Sequence, residues 1–360
     1  MMANSLLTAT QVATKPSKRR RGFYHYRDKR ERMKQQLEAE RQEAAKREKE
    51  MLEEEFEVGI FTVTSANKTM RDAAREKDPI KLYDELWYEG EMCCLFADSN
   101  VGKSIYAVQI STEIAKAQRV LYFDFELSNK QFQLRYQNGV TKEQFKFPRN
   151  FYRVCMKNIT FFNADELTNK ILFDIEDCVK KTGAKVIIID NLTWIANNAR
   201  SASVAGILME RLTALKKQYG LSMLILAHTK KRNMSKPIGQ NDLGGSKMLF
   251  NFMDSSFSIG ISARDPQIRF IKQVKVRNDG FTYDENNVMV CHIDKKDKKF
   301  LQFITDGYEE ESVHLKKLKE TDKQMLISQV KMMVAEGKSL RDIATDLGIS
   351  LATAQRYSKK

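Results

Sequence analysis

Leu95-Phe96-Ala97-Asp98-Ser99-Asn100-Val101-Gly102-Lys103-Ser104 lies between a short apolar run, Met92 to Phe96, and a helical pattern over Ile105 to Ala117. It reads as a phosphate-binding loop. A triphosphate needs consecutive backbone N–H groups curled around it, a helix N-terminus aimed at it, a lysine for its β and γ oxygens and a hydroxyl for Mg²⁺. Gly102, Lys103 and Ser104 supply the last turn, and Ala97, Asp98, Ser99, Asn100 and Val101 the loop before it, as candidate ATP-binding residues. The usual pattern opens with glycine; here that place is Ala97, the mildest replacement. The bland alternative is an ordinary strand-to-helix turn with Lys103 as a surface charge. Matching chemistry on later strands argues for the nucleotide.

Working outward, Arg119 to Ser128 is a parallel-type strand that ends in acidic and hydroxyl residues. Ile171 to Lys181 is an amphipathic helix, and Gly183 turns the chain into Val186-Ile187-Ile188-Ile189-Asp190, whose β-branched run predicts a strand buried on both faces. Ser203 to Tyr219 has helical periodicity closed by Gly220, and Ser222 to His228 is another buried strand. Strand–helix alternation of this kind predicts a mostly parallel α/β sheet with its polar tips on one edge. Further strands are expected at 257–262, 267–276, 288–293 and 299–304, with a polar loop over 230–241.

A carboxylate at the end of so apolar a strand is costly unless water or a cation meets it, so Asp190 and Ser104 are the candidate Mg²⁺ ligands. Its alternative is a strand-end helix cap. Asp124 and Glu126 are rival general bases; they share a strand face, so alternation does not choose between them. His228, at a neighbouring strand end, suits a γ-phosphate sensor, although a lone histidine is more often a satisfied core residue.

The flanks differ from this core. The chain has 360 residues and a formal charge of +14, an excess that favours a polyanionic partner, DNA above all, through counterion release. No apolar run approaches the ~18–20 residues of a membrane-spanning helix, and no signal peptide is read at the start. The five cysteines lack zinc-ligand spacing, as expected of reduced thiols in a cytoplasmic protein. Residues 1–58 form a charged, partly disordered and partly helical tail whose arginine cluster, Lys18 to Arg21, either touches phosphates or is solvated. Met70 to Glu89 reads as helical, with Leu86, Trp87 and Tyr88 as candidates for an edge of the nucleotide site. The ATPase core is expected over 59–311. Within 312–360, Asp322 to Glu336 is a helix, and Ala344, Gly348 and Ile349 have the spacing of a helix-turn-helix of resolvase or regulator type, in which Thr353, Gln355 and Arg356 could reach DNA. A small protein-interaction module is the alternative.

The order of P-loop, Phe123-Asp124-Phe125-Glu126-Leu127-Ser128 with Gln131, Leu134 and Arg135 behind it, an apolar strand ending in Asp190, and Leu226-Ala227-His228-Thr229-Lys230 resembles the RecA superfamily. Within it, the chain resembles the DnaB- and RepA-type hexameric replicative helicases over roughly residues 85–305. The resemblance implies a RecA-like P-loop core using ATP and Mg²⁺, with Glu126 rather than Asp124 as catalytic carboxylate and His228 where the DnaB type has glutamine. It implies that Asp242-Leu243-Gly244-Gly245-Ser246, with Lys247, faces DNA. It also implies that Lys275-Val276-Arg277-Asn278 reaches into the neighbouring subunit's ATP site. The implied partners are single-stranded DNA through a homo-hexameric ring and duplex DNA at the helix-turn-helix. The alternative function is a DNA-binding regulatory or partition-like ATPase that does not unwind. Ala97 and the lack of a DnaB-type N-terminal helical domain depart from the pattern.

Overall fold

The computed structural model describes residues 18–52, 55–157, 164–192, 202–230, 232–244, 247–277, 280–317 and 320–359. The chain divides into two compact units, Met1–Asp78 and Pro79–Lys360.

The first unit opens with helix α1 (Lys18–Leu52), whose described side chains are exposed throughout, as its mixed charges and sparse apolar positions dictate. Strands β1 (Glu55–Val58) and β2 (Phe61–Thr64) then pair antiparallel around Gly59, which has a φ of 60°. The expected boundary at 58/59 falls in this hairpin turn. Helix α2 (Ala66–Ala73) follows, capped by the Ser65 side chain, which accepts from Lys68 N–H at 3.2 Å.

Residues 70–89 are not one helix. Pro79 biases Asp78 away from helical geometry, and the chain instead forms a small hairpin of β3 (Lys81–Tyr83) and β4 (Trp87–Tyr88). Burial of the Trp87 indole, 0% exposed, fixes it against the start of the next strand, where Cys93 lies against the Leu86 carbonyl. Leu86 to Tyr88 therefore sit at the sheet edge opposite the phosphate loop and do not border the nucleotide site.

Among the described residues the central sheet has nine strands. Its parallel part contains β5 (Met92–Ala97), β6 (Val120–Asp124), β7 (Phe151–Cys155), β8 (Val186–Asp190), β9 (Ser222–His228) and β10 (Ser255–Ile261). They lie in the order β10-β5-β9-β8-β6-β7. Strands β11 (Ile268–Lys275), β12 (Val288–Lys296) and β13 (Phe300–Glu309) extend it antiparallel beyond β10. The mostly parallel sheet read from the sequence is thus present, with β9 inserted between the phosphate-loop strand and the strand ending in Asp190.

Both faces of the parallel part are covered, which is why its strands are continuously apolar. Cys94, Phe96, Ile187 and Ile189 pack with α5 (Ala164–Thr182) and α6 (Ala202–Tyr219); Cys93, Leu95, Val186 and Ile188 face the side of α3 (Lys103–Ile114), and the short α4 (Asn129–Arg135) follows β6. Each fully buried isoleucine of β8 stabilises the fold by roughly 1.5–3 kcal/mol, and a charge there would break the layer. Sheet packing thereby holds the strand tips in one row.

Beyond β13, α8 (Glu311–His314) leads into α9 (Glu320–Ala335), α10 (Leu340–Asp346) and α11 (Leu351–Ser358). The last three enclose their own core of Ile327, Val330, Ile343, Ala344, Ala354 and Tyr357. Ser339 and Ser350 cap α10 and α11, and Gly348, at φ 60°, makes the turn between them. The base of this tail is rooted in the core by a buried ion pair. Glu311, 1% exposed, accepts from Lys272 Nζ at 2.6 Å and from Ile238 N–H at 2.6 Å, while Lys272 also donates to the Ile238 carbonyl at 3.1 Å. Lys316 N–H donates to Met234 O at 2.9 Å, so the loop after β9 and the root of the tail are tied at two points.

Candidate active site

Register places the sequence-predicted tips side by side. Ala97 is level with His228, and Asp124 is level with Asp190. Ala97 proves to be an ordinary last strand residue, paired on both sides and with its carbonyl accepting from Lys103 Nζ at 2.9 Å, so this position makes no demand for glycine. Gly102 does: its φ is 113°, and a Cβ would stand 2.9 Å from both Ile293 and Phe303, which close over the loop from β12 and β13. Asn100 takes the other left-handed turn at φ 62°. Arg269 Nε donates to the Val101 carbonyl at 3.1 Å, and Thr229 Oγ1 donates to Asp98, so the loop is held from two neighbouring strands.

Lys103 starts α3 yet is buried. Its ammonium bonds the carbonyls of Ala97 and Asp98, both at 2.9 Å, and lies 3.2 Å from His228 Nδ1. Desolvation lowers its pKa, offset by Asp190, Glu126 and Asp98. Asp190 is 1% exposed; burial raises its pKa to about 6, with Ser104 and Tyr122 holding it down. The Tyr122 hydroxyl donates to Oδ2, whereas Oδ1 has no hydrogen-bond partner among the described residues. A buried carboxylate oxygen left open beside a serine and beneath a phosphate loop fits the outer sphere of a divalent cation.

The two rival carboxylates separate clearly. Asp124 is buried and fully engaged: Arg153 Nε donates to it at 2.8 Å, and the amides of Glu126 and Leu127 donate to its other oxygen at 3.1 and 2.8 Å. It is a turn cap and ion-pair partner. Glu126 instead faces the Lys103–His228 side; its Oε1 lies 3.7 Å from His228 Nε2 and accepts from Asn191 Nδ2. The His228 ring beside it holds its carboxyl below the usual range, with Lys103 and Arg135 adding to the effect. Asn191 escaped the sequence reading although it directly follows Asp190. Arg135, quoted there only as part of the resemblance, has a buried Nη1 without a partner among the described residues.

Of the remaining expected residues, Gly244 touches this cluster through its backbone, and Lys275, Arg277, Thr353, Gln355 and Arg356 belong to other parts of the fold. Gly244 donates its N–H to the His228 carbonyl at 2.7 Å, and a Cβ there would stand 2.3 Å from that oxygen, so its glycine serves a close backbone approach. Gly245 and Ser246 lie outside the described residues, as does the side chain of Lys247, which opens α7 (Lys247–Phe252). Lys275 is level with Ser256, near the beginning of β5, and its ammonium bonds the carbonyls of Phe250 and Met253 at 3.2 and 2.6 Å. Arg277 pairs with Asp254 and is exposed. Both stand at the sheet edge opposite their own phosphate loop. Thr353, Gln355 and Arg356 lie on α11; Thr353 N–H is spent on the Ser350 cap, whereas Gln355 and Arg356 are exposed.

With this geometry in hand, comparison with known proteins finds an AAA domain family model matching residues 62–234, a span that includes the phosphate loop, Glu126, Asp190 and His228. Among solved structures, a KaiC-like protein from the hyperthermophilic archaeon Pyrococcus horikoshii is similar over 64% of this chain and 100% of its own. Its identity is 13% and its TM-score 0.46. No curated protein matches. The phosphate loop, the mostly parallel strand order and the domain match together describe a P-loop nucleotide-binding α/β core. Among the described residues no helix is long and apolar enough to cross a membrane.

Proposed function

We propose that the chain is a cytoplasmic ATP-dependent DNA motor, a hexameric replicative helicase of plasmid or mobile-element type. The observation that carries the ATPase part is the convergence of Lys103, Ser104, Glu126, Asp190 and His228 at the carboxyl ends of four adjacent parallel strands and the helix N-terminus beside them. Lys103 leaves the Ala97 and Asp98 carbonyls for the β and γ oxygens of ATP; Glu126 orients and deprotonates the attacking water; His228 senses the γ-phosphate. Ser104 and Asp190 would hold Mg²⁺, which neutralises phosphate charge when bound. Arg135 adds a cation on the Glu126 side.

The charge of +14 supports a DNA partner, and the exposed, basic end of α11 supports duplex contact by the tail. Lys275 and Arg277, remote from their own phosphate loop, are suited to a neighbouring subunit's site. The test of the nucleotide reading is Lys103→Ala, which is expected to abolish turnover of saturating Mg²⁺-ATP. Near-normal turnover would sink it. Removing residues 318–360 leaves the buried Glu311 anchor in place and is expected to weaken duplex binding and flatten its salt dependence, while basal hydrolysis survives. Labelled-duplex titrations at several salt concentrations read this out; unchanged binding makes the tail a protein-interaction module. Strand displacement on a forked duplex separates a helicase from the regulatory ATPase alternative.

A further inference from the structure

We propose that Asp254 is the positioning residue of Arg277, a fixed carboxylate that sets where the guanidinium stands at the subunit boundary; the inference rests on the trans-arginine reading above. Arg277 has little else to hold it. Its side chain is 61% exposed, and among the described residues only Nη1 is engaged, donating to Asp254 Oδ1. An arginine on an open surface samples many rotamers, and few of them aim its planar fork at a γ-phosphate. One tether narrows that choice. With Nη1 held, Nε and Nη2 stay open to an incoming anion.

Asp254 suits the task because it is held fast. It is 8% exposed, and its other oxygen, Oδ2, accepts from Met92 N–H at 2.9 Å and from Lys216 Nζ at 2.6 Å, while Lys216 also donates to the Gly90 carbonyl at 2.9 Å. The Asp254 N–H returns a bond to the Met92 carbonyl at 2.8 Å. Met92 begins β5, so the carboxylate is fastened to the middle strand of the sheet. The strand that brings Arg277 is fastened nearby, where Lys275 donates to the Phe250 and Met253 carbonyls at the end of α7. An ion pair between two mobile surface side chains orders neither partner well. Here one partner is built into the core, and the order it imposes falls on Arg277.

The experiment is steady-state hydrolysis of Mg²⁺-ATP by full-length Asp254→Asn, alone and in mixed rings. In this variant the amide oxygen is drawn to two donors, Met92 N–H and Lys216, which leaves its NH₂ facing Arg277, donor against donor. The kcat is expected to fall about ten- to a hundredfold, the effect of a misplaced group, with KM unchanged and Asp254→Asn/Arg277→Ala no slower than Arg277→Ala alone. Mixing locates the defect. Asp254→Asn subunits should regain hydrolysis with Glu126→Gln subunits, which bring an intact arginine, and none with Arg277→Ala subunits, which do not. A structural role, in which loss of the carboxylate damages the phosphate loop through β5, gives the reverse: recovery with Arg277→Ala and none with Glu126→Gln. That reversal, or a folded Asp254→Asn variant with wild-type kcat, overturns the proposal. If thermal melts show the asparagine variant unfolded, Asp254→Leu/Lys216→Met takes its place in every assay, since it removes carboxylate and ammonium together and leaves no buried charge unpaired. Arg277→Ala and Glu126→Gln subunits that fail to complement each other in rings shown to be mixed defeat the trans-arginine reading, and this proposal with it. An inactive wild type defeats the ATPase reading itself.

Discussion

Glu126→Gln should bind ATP as the wild type does and hydrolyse it ~10²–10⁴-fold more slowly, the usual value of general-base help. Glutamine keeps the volume and the contact with Asn191 but offers no basic oxygen to the water. Fluorescent-nucleotide titration and steady-state turnover separate the two effects. Asp124→Asn is the control that gives the result meaning. Asp124 is spent on Arg153 and two backbone amides, so its replacement should leave turnover per folded molecule near normal. It should instead cost about 1–3 kcal/mol of stability, because the half-buried Arg153 guanidinium loses its charged partner. A reversal, with Asp124→Asn inactive and Glu126→Gln active, would exchange the two roles.

Arg277→Ala carries the other large effect. Trans arginines in phosphoryl transfer are worth up to ~10³–10⁵, so the variant should bind ATP almost normally and hydrolyse it poorly. Register shows why its own site is not the target: β11 runs antiparallel to β10, so its carboxyl end lies beside the start of β5 while the phosphate loop follows the end. In the proposed ring, a second subunit would present its ATP site to this arginine. Mixing Arg277→Ala with Glu126→Gln subunits should restore part of the hydrolysis, at interfaces where an intact Glu126 site meets an intact Arg277. No recovery in rings shown to be mixed by mass would leave Arg277 as the surface partner of Asp254.

Much of the core was legible because it is written in local patterns. Val186 to Ile189, β-branched and short, reads as a strand covered on both faces, and Gly102-Lys103-Ser104 after an apolar strand reads as a phosphate loop once the polar tips of the later strands are set beside it. What was not legible depends on distant partners. Strand β7 is half-exposed and has no clear alternation, and the β3–β4 hairpin exists because Trp87 finds a hole under β5. The different surroundings of Asp124 and Glu126 were invisible to strand alternation, since Asp124 is engaged by Arg153, 29 residues downstream. Asn191 was missed for the same reason: its neighbours across the site, Glu126 and His228, come from two other strands.

The buried Lys272–Glu311 pair has a mechanical meaning. A carboxylate and an ammonium placed this deep cannot part without leaving an uncompensated charge, at several kcal/mol, so the root of the tail is a bolt where a tether might have been expected. The bolt passes through Ile238, on the loop that runs on from His228. Thr353 and Arg356 line a cavity of about 370 Å³ shared with Asn233, Ser235 and Lys236 of that same loop. The loop after β9 and the residues beyond it toward the tail therefore meet at the buried Lys272–Glu311 pair, at the Lys316 amide and along this cavity, three contacts that a load on one side would have to break together.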